Sequence, residues 1–125
     1  MRIFLVCKDE RLKLAVLMLI DNQPGLVVSG ISDRLEGLAK QLETTQPDVL
    51  VIEWPLSVAA MQILMGEIQG LEYRPRVIYL SNKPEMREAV KGAGVNFFVL
   101  TNAPPDVLLI ILKDLQSSLI EQGAH

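Results

Sequence analysis

Cysteine is almost absent from this sequence, because only Cys7 occurs among its 125 residues. A single cysteine cannot form an intrachain disulfide, which excludes a small secreted domain stapled by disulfides. The chain reaches the charged segment Lys8–Glu10 directly after Cys7, so its apolar start is short, and no signal-peptide cleavage pattern is present. We therefore expect a protein of the reducing cytoplasm.

The sequence also lacks an excess of positive charge and a long apolar run. Its net charge is −3 and its pI is about 5.1, which argues against direct contact of this domain with nucleic acid. The longest apolar stretch, Leu14 to Ile20, is far shorter than the roughly 18 residues that cross a bilayer. We expect neither a nucleic-acid contact nor a membrane segment.

Residues typical of catalysis are scarce. The one histidine is His125, and the sequence has no Ser-His-Asp set, zinc-ligand spacing or glycine-rich nucleotide loop. Cys7 follows a predicted strand, as a phosphatase nucleophile would, but Lys13 occupies the arginine position of a Cys-x5-Arg loop and the loop has no glycine. We therefore predict a domain that is not an enzyme and that needs no cofactor.

What the sequence does contain is a regular alternation of apolar strands and amphipathic helices. Short connections between them require parallel strands and right-handed crossovers, so we predict a three-layer α/β/α sandwich. Residues 1–121 form the predicted domain, and residues 122–125 form a tail or the start of a linker. The predicted strands are Arg2–Cys7, Leu26–Ser32, Asp48–Glu53, Arg76–Ser81 and Asn96–Leu100; the predicted helices are Arg11–Asn22, Leu35–Glu43 (capped by Ser32 or Asp33), Ser57–Gly70, Pro84–Lys91 and Pro105–Glu121.

The third predicted strand is the most informative segment. Residues 49–52 are an unbroken apolar run, which fits a central parallel strand buried on both faces, and the run ends in Glu53 just before Trp54 and Pro55. Functional groups of open α/β sheets lie at the carboxyl ends of the strands. Glu53 is therefore predicted to lie at the functional edge of the sheet.

Two segments carry a resemblance to a known family. Residues 93–105, AGVNFFVLTNAPP, resemble the segment AGADGFLLKDAPP of receiver domains in bacterial two-component response regulators, in the version joined to LuxR-type DNA-binding domains. Residues 47–53 resemble the family segment PDVVLMD, and Ser81 stands where the family has serine or threonine. The resemblance covers the whole chain and implies a flavodoxin-like, doubly wound sheet of five parallel strands. It also implies a role in phosphorelay signalling and transcription regulation.

The positions that carry the family's chemistry differ in this chain. The two acidic residues that hold Mg²⁺ in the family fall on Cys7 and Lys8, and the phosphorylated aspartate falls on Glu53. The lysine that contacts the phosphoryl group falls on Thr101. Phosphoryl transfer depends on neutralising charge with Mg²⁺ and cationic groups, so these changes argue against ordinary phosphorylation. Of the five positions, only Ser81 fits the family pattern.

Three readings of Glu53 remain open from the sequence. In the first, Lys8 replaces the metal ion and pairs with Glu53 or Asp9, so that one conformation is held without phosphate. In the second, Glu53 is a solvated residue at the end of a strand whose function has been lost. In the third, a one-residue slip of the alignment brings Asp9 and Glu10 toward the metal position, and Mg²⁺-dependent phosphorylation is retained.

The predicted first and last helices have more apolar residues than a single core-facing stripe can use. The implied topology places them side by side on the same face of the sheet, which predicts an apolar patch typical of a protein contact. We expect a homodimer through these helices, with Leu17 and Leu112 at its interface. The resemblance also implies a histidine kinase or another regulator as partner. The chain is predicted to be the regulatory part of a transcription factor or a stand-alone adaptor.

Overall fold

A computed structural model describes residues 1–123, with side chains described up to residue 120. Five strands alternate with five α-helices, and a 3₁₀ turn precedes the fourth helix. The strands are β1 (Arg2–Cys7), β2 (Val27–Ser32), β3 (Val49–Glu53), β4 (Arg76–Ser81) and β5 (Phe97–Leu100). The helices are α1 (Glu10–Asp21), α2 (Leu38–Thr45), α3 (Val58–Gln69), α4 (Arg87–Gly92) and α5 (Pro105–Gly123), and the 3₁₀ turn is Pro84–Met86.

All five strands form one parallel sheet in the order β2-β1-β3-β4-β5. This is the predicted flavodoxin-like order, in which the connections reverse direction beside β1. The apolar residues of β3, from Val49 to Ile52, are at most 1% exposed, as expected for a central strand covered on both sides. The register pairs Cys7 with Glu53, so the last residues of β1 and β3 are neighbours.

Helices cover both faces of the sheet and divide the core into two clusters. One cluster contains Val16 and Ile20 of α1 together with Leu108, Leu112 and Leu115 of α5. The other contains the buried residues of α2, α3 and α4. The three-layer sandwich is therefore confirmed, and α1 and α5 share one face of the sheet as predicted.

The helix starts follow local capping signals at two places and depart from them at a third. Asp9 and Ser57 cap α1 and α3 by accepting hydrogen bonds from backbone N–H groups of the first turn. The predicted start of the second helix is wrong, because α2 begins at Leu38 after Gly37, whose φ of 72° favours glycine. Ser32 instead bonds both backbone groups of Arg34 and forms a turn.

The last helix ends at Gly123, two residues beyond the predicted end. Residues 124 and 125 of the predicted tail lie outside the described residues. Within residues 1–123, none of the helices combines the length and the apolar character needed to span a bilayer.

The two residues predicted for a dimer interface are misplaced. Leu112 is fully buried at 0% exposure, and Leu17 is half-buried and packs against the same core cluster. The outer faces of α1 and α5 instead carry Leu14, Met18 and Ile110, which are 59%, 66% and 65% exposed. Sequence reasoning found the apolar excess of both helices but assigned it to the wrong sides, because nearly every position of each helix is apolar.

Candidate functional site

The carboxyl ends of the strands open into a cleft of about 950 Å³. The cleft brings together Lys8, Asp9 and Glu53 on one side and Ser81 and Thr101 on the other, as the sequence predicted. Cys7 lies directly beneath, 1% exposed at the end of β1. Other residues that line the cleft include Arg11, Leu12, Trp54, Tyr79, Lys83 and Met86.

The carboxylate of Glu53 is bonded to the loop that follows β1. Its Oε1 atom accepts hydrogen bonds from the backbone N–H of Lys8 at 3.0 Å and of Asp9 at 2.9 Å. The thiol of Cys7 donates a third hydrogen bond to the same oxygen at 3.3 Å, and its single proton is shared with the backbone carbonyl of Asp9, which also lies 3.3 Å from the sulfur. The N–H of Lys8 is shared with the backbone carbonyl of Glu53 at 3.1 Å, which continues the pairing of β1 with β3.

This arrangement follows from register and side-chain length. Cys7 and Glu53 are neighbours across the two strands, so the side chain of Glu53 starts beside the loop at Lys8 and Asp9. Hydrogen bonds from N–H groups to a carboxylate are charge-assisted and stronger than those to a neutral acceptor. The carboxylate of Glu53 is therefore bound by the backbone N–H groups of Lys8 and Asp9 at the functional edge.

The predicted ion pair between Lys8 and Glu53 is not formed. The ammonium of Lys8 lies 5.7 Å from the centre of the Trp54 ring, in a cation–π contact. Within the described part of the chain the ion pairs are Lys13–Glu10 and Arg34–Asp33, so Lys8 is bonded to neither predicted partner. Lys8 thus holds Glu53 through its backbone, whereas its side chain turns to the neighbouring indole.

The carboxylates that could replace the family's Mg²⁺ ligands are engaged elsewhere. Asp9 Oδ1 accepts from the backbone N–H groups of Arg11 at 2.9 Å and Leu12 at 3.1 Å, as the cap of α1. Glu10 Oε1 lies 2.8 Å from the ammonium of Lys13. No group of three metal-ligating side chains occurs among residues 1–123. Binding of Mg²⁺ through Asp9 or Glu10 would therefore require these carboxylates to leave their present partners.

Cys7 does not have the environment of a nucleophile. Burial, followed by its hydrogen bond to Glu53 and the charge of that residue, raises the pKa of Cys7 to about 12. The reactive form of cysteine is the thiolate, which a raised pKa removes at neutral pH. Cys7 acts in this site as a hydrogen-bond donor.

Ser81 and Thr101, on the other side of the cleft, make fewer hydrogen bonds. Ser81 Oγ accepts a hydrogen bond from the backbone N–H of Lys83 at 3.1 Å. The N–H of Thr101 donates to the carbonyl of Ser81 at 2.9 Å and extends the pairing of β4 with β5. These contacts are of the kind found at ordinary strand ends.

Tyr79 makes a polar contact that the sequence analysis did not predict. Tyr79 is buried, and its hydroxyl donates to the backbone carbonyl of Trp54 at 2.6 Å. Its ring stacks on Phe98 at 6.3 Å, and the guanidinium of Arg87 in α4 lies 4.9 Å from the centre of the Phe98 ring. Of the two aromatic residues in β5, Phe98 packs against Tyr79, whereas Phe97 packs against the core cluster on the other face of the sheet. A tyrosine in a predicted buried strand could have indicated this bond, because a buried tyrosine hydroxyl usually has a hydrogen-bond partner.

The fold is that of the receiver domains of response regulators, and the resemblance in fold predicted from the sequence is confirmed. One similar structure is the response regulatory domain of protein mrkE from Klebsiella pneumoniae, with a TM-score of 0.82, 13% identity, and coverage of 97% of this chain and 99% of that one.

Two further structures belong to regulators with LuxR- or NarL-type names. A LuxR-family DNA-binding response regulator from Staphylococcus aureus has a TM-score of 0.76 and 16% identity, with 91% of this chain and 97% of that one covered. The receiver domain of a NarL regulator from Mycobacterium tuberculosis has a TM-score of 0.75 and 16% identity, with 92% and 95% covered. No family model matches the sequence, and no curated protein matches it.

Proposed function

We propose that this chain is an atypical receiver domain of a response regulator that holds one conformation without a phosphoryl group or Mg²⁺. It transmits a signal through contacts with other proteins and catalyses no reaction. The observation that supports this proposal is the set of three hydrogen bonds to Glu53 Oε1, from Cys7 at the end of β1 and from Lys8 and Asp9 in the loop that follows.

The hydrogen bonds assign Glu53 a structural task that competes with phosphorylation. A phosphoryl acceptor must present a carboxylate oxygen to the donor, next to a cation that neutralises the developing charge. Here Oε1 faces the loop amides, and the carboxylates of Asp9 and Glu10 are bonded elsewhere. Glutamate also carries a single negative charge, against roughly 1.5 to 2 for a phosphorylated side chain, so it is an incomplete substitute for phosphoaspartate.

The output of such a domain is a protein contact. The exposed apolar residues on α1 and α5 support a homodimer through the outer faces of these helices. A histidine kinase or another regulator is a further candidate partner, and control of transcription through an attached DNA-binding domain is the role that this fold suggests. A reduced, buried Cys7 is consistent with a cytoplasmic location.

Two alternatives remain candidates. One is a receiver that is still phosphorylated with Mg²⁺ bound by Asp9, Glu10 and Glu53, which would require all three carboxylates to leave their present partners. The other is a stand-alone adaptor that binds a kinase or a regulator without an attached output domain. The length of the natural open reading frame distinguishes the adaptor from the regulator.

The proposal is tested by incubating the chain with acetyl phosphate and Mg²⁺ and measuring its intact mass. We expect no phosphorylated species for the wild type or for Glu53→Gln, which keeps an oxygen for the loop but cannot be phosphorylated as a carboxylate. Stoichiometric labelling of the wild type that is absent from Glu53→Gln would assign phosphorylation to Glu53 and refute the proposal.

A further inference from the structure

The solvent-facing side of α1 carries a symmetric set of four residues. Leu14 and Met18 lie equally far in sequence on either side of Val16, and Arg11 and Asp21 lie equally far beyond them. Leu14 and Met18 are 59% and 66% exposed, and Arg11 and Asp21 are also exposed. Val16 is buried and marks the opposite, core-facing side of the helix.

These four residues form one continuous stripe. With about 3.6 residues per turn, spacings of three and four residues keep side chains on the same side of a helix. The stripe of Arg11, Leu14, Met18 and Asp21 follows this spacing, with its apolar pair in the middle and one charge of each sign at the ends. Such a stripe is the pattern of a helix that packs along another helix.

The charges at the ends of the stripe are available to a partner. Glu10 is paired with Lys13 within α1, and neither Arg11 nor Asp21 takes part in an ion pair in the described part of the chain. The first turn of the stripe is therefore positive and its last turn is negative. A stripe of this kind is complementary to a copy of itself in the opposite direction.

We infer that a second copy of this chain packs antiparallel on α1, about a two-fold axis at the level of Val16. In this arrangement Leu14 contacts Met18 of the second copy, and Arg11 lies opposite Asp21 of the second copy. Each contact occurs twice, as a two-fold interface requires. A parallel arrangement would place Arg11 against Arg11 and Asp21 against Asp21, so the charges select the antiparallel one.

The inference rests on the proposed function in taking a protein contact as the output, and it names the partner. It also relates the dimer to the site. Asp9, whose N–H is bonded to Glu53, is the cap of α1, so the hydrogen bonds to Glu53 fix the first turn of the helix that carries the stripe. If the domain is held in one conformation without a phosphoryl group, the unmodified chain should form this dimer.

The test is the solution mass of the chain by analytical ultracentrifugation, with charge reversals at the two ends of the stripe. Arg11→Asp places two acidic residues together at each end, and Asp21→Arg places two basic residues together. Mixing the two variants restores opposite charges at both ends. Lys40→Asp reverses an exposed charge on α2, on the other face of the sheet, and is the matched control.

We expect the wild type and Lys40→Asp to sediment at twice the chain mass of 13.9 kDa. Each single reversal should weaken self-association by about tenfold or more, because like charges are brought together, and an equimolar mixture should recover the dimer. Loss of folding cannot imitate this result, since an acidic residue in the first turn and a basic residue in the last turn both favour the helix.

A wild type that remains monomeric both without and with acetyl phosphate and Mg²⁺, or single reversals that sediment like the wild type, would refute the inference. A dimer that forms only after addition of acetyl phosphate and Mg²⁺ would leave the interface standing and refute the phosphorylation-independent function. The two proposals therefore fail separately.

Discussion

The two sides of the cleft differ in how their strand ends are held. At β1 and β3 a side chain crosses between strands, because Glu53 accepts hydrogen bonds from the last residue of β1 and from the two residues that follow it. At β4 and β5 the polar residues Ser81 and Thr101 make only local contacts, through the backbone or within two residues. The side on which the sequence resemblance places the Mg²⁺ ligands and the phosphoacceptor is thus the side with the denser hydrogen bonding.

This difference shows how backbone groups can bind a carboxylate at the functional edge of a sheet. A carboxylate at a strand end requires partners, and backbone N–H groups of an adjacent loop can supply them without any cationic side chain. Neutral Ser81 requires only one local donor. We therefore expect substitutions on the β1–β3 side to cost more stability than those on the β4–β5 side.

The largest effect is expected from Glu53→Ala. This substitution removes the acceptor of three hydrogen bonds, and we expect it to lower the free energy of unfolding by about 2 kcal/mol, because the exposed loop amides can turn to water. Glu53→Gln is the matched control, since its amide oxygen can still accept, and it should cost less than half as much. Urea unfolding measures both. Equal losses in the two variants would show that the charge alone, and not the acceptor, holds the loop.

Tyr79→Phe tests the bond that connects the two sides. Loss of the hydroxyl leaves the Trp54 carbonyl without this donor, and we expect a destabilisation of about 1 to 1.5 kcal/mol in urea unfolding. Tyr73→Phe is the control, because the Tyr73 hydroxyl makes a longer bond of 3.3 Å to Asp48 and is less buried. If Tyr73→Phe were the more destabilising variant, the hydrogen bond from Tyr79 to Trp54 would not contribute more to stability than an ordinary surface hydrogen bond.

The Cys7 thiol predicts a dependence of stability on pH. Its pKa rises from 9.0 to about 12 on folding, so its stabilising contribution is complete below pH 9 and is lost as the pH rises from 9 toward 12. Cys7→Ser has no group that titrates in this range. The stability difference between wild type and Cys7→Ser should therefore shift against the wild type by roughly 1 kcal/mol per pH unit above 9. A constant difference from pH 8 to 11 would contradict the raised pKa.

Ser81→Ala should have the smallest effect. Only the local hydrogen bond from the Lys83 N–H is lost, and that exposed residue can bond to water instead, so we expect a change of about 0.5 kcal/mol or less in thermal or urea unfolding. A loss as large as that of Glu53→Ala would remove the contrast between the two sides of the cleft.

The sequence was sufficient to predict the fold because its signals are local and agree with one another. The apolar run of β3, the prolines at positions 84 and 105, and the cap at Ser57 each indicate an element that the structure contains. The start of α2 could not be predicted from Ser32 and Asp33, because the cap is a glycine in a left-handed conformation, which offers no side-chain signal.

The sequence predicted where the residues of the site lie, but it did not predict the hydrogen bonds between them. The register of parallel strands brings Cys7 and Glu53 together, and this follows from the fold. The partners of Glu53 are backbone N–H groups, which every residue but proline has, so no pattern of residue types identifies them. Opposite charges at Lys8 and Glu53 instead suggested an ion pair, and the prediction failed because Trp54 offers the ammonium an aromatic face.

The most direct test of the central claim is a titration of the ¹⁵N-labelled chain with Mg²⁺, followed through the amide signals of Lys8 and Asp9. If Glu53 holds these amides in place of a metal-bound site, both signals remain unchanged at millimolar Mg²⁺, and both shift in Glu53→Ala without any addition. Saturable shifts of the Lys8 and Asp9 amides on addition of Mg²⁺ to the wild type would contradict the claim.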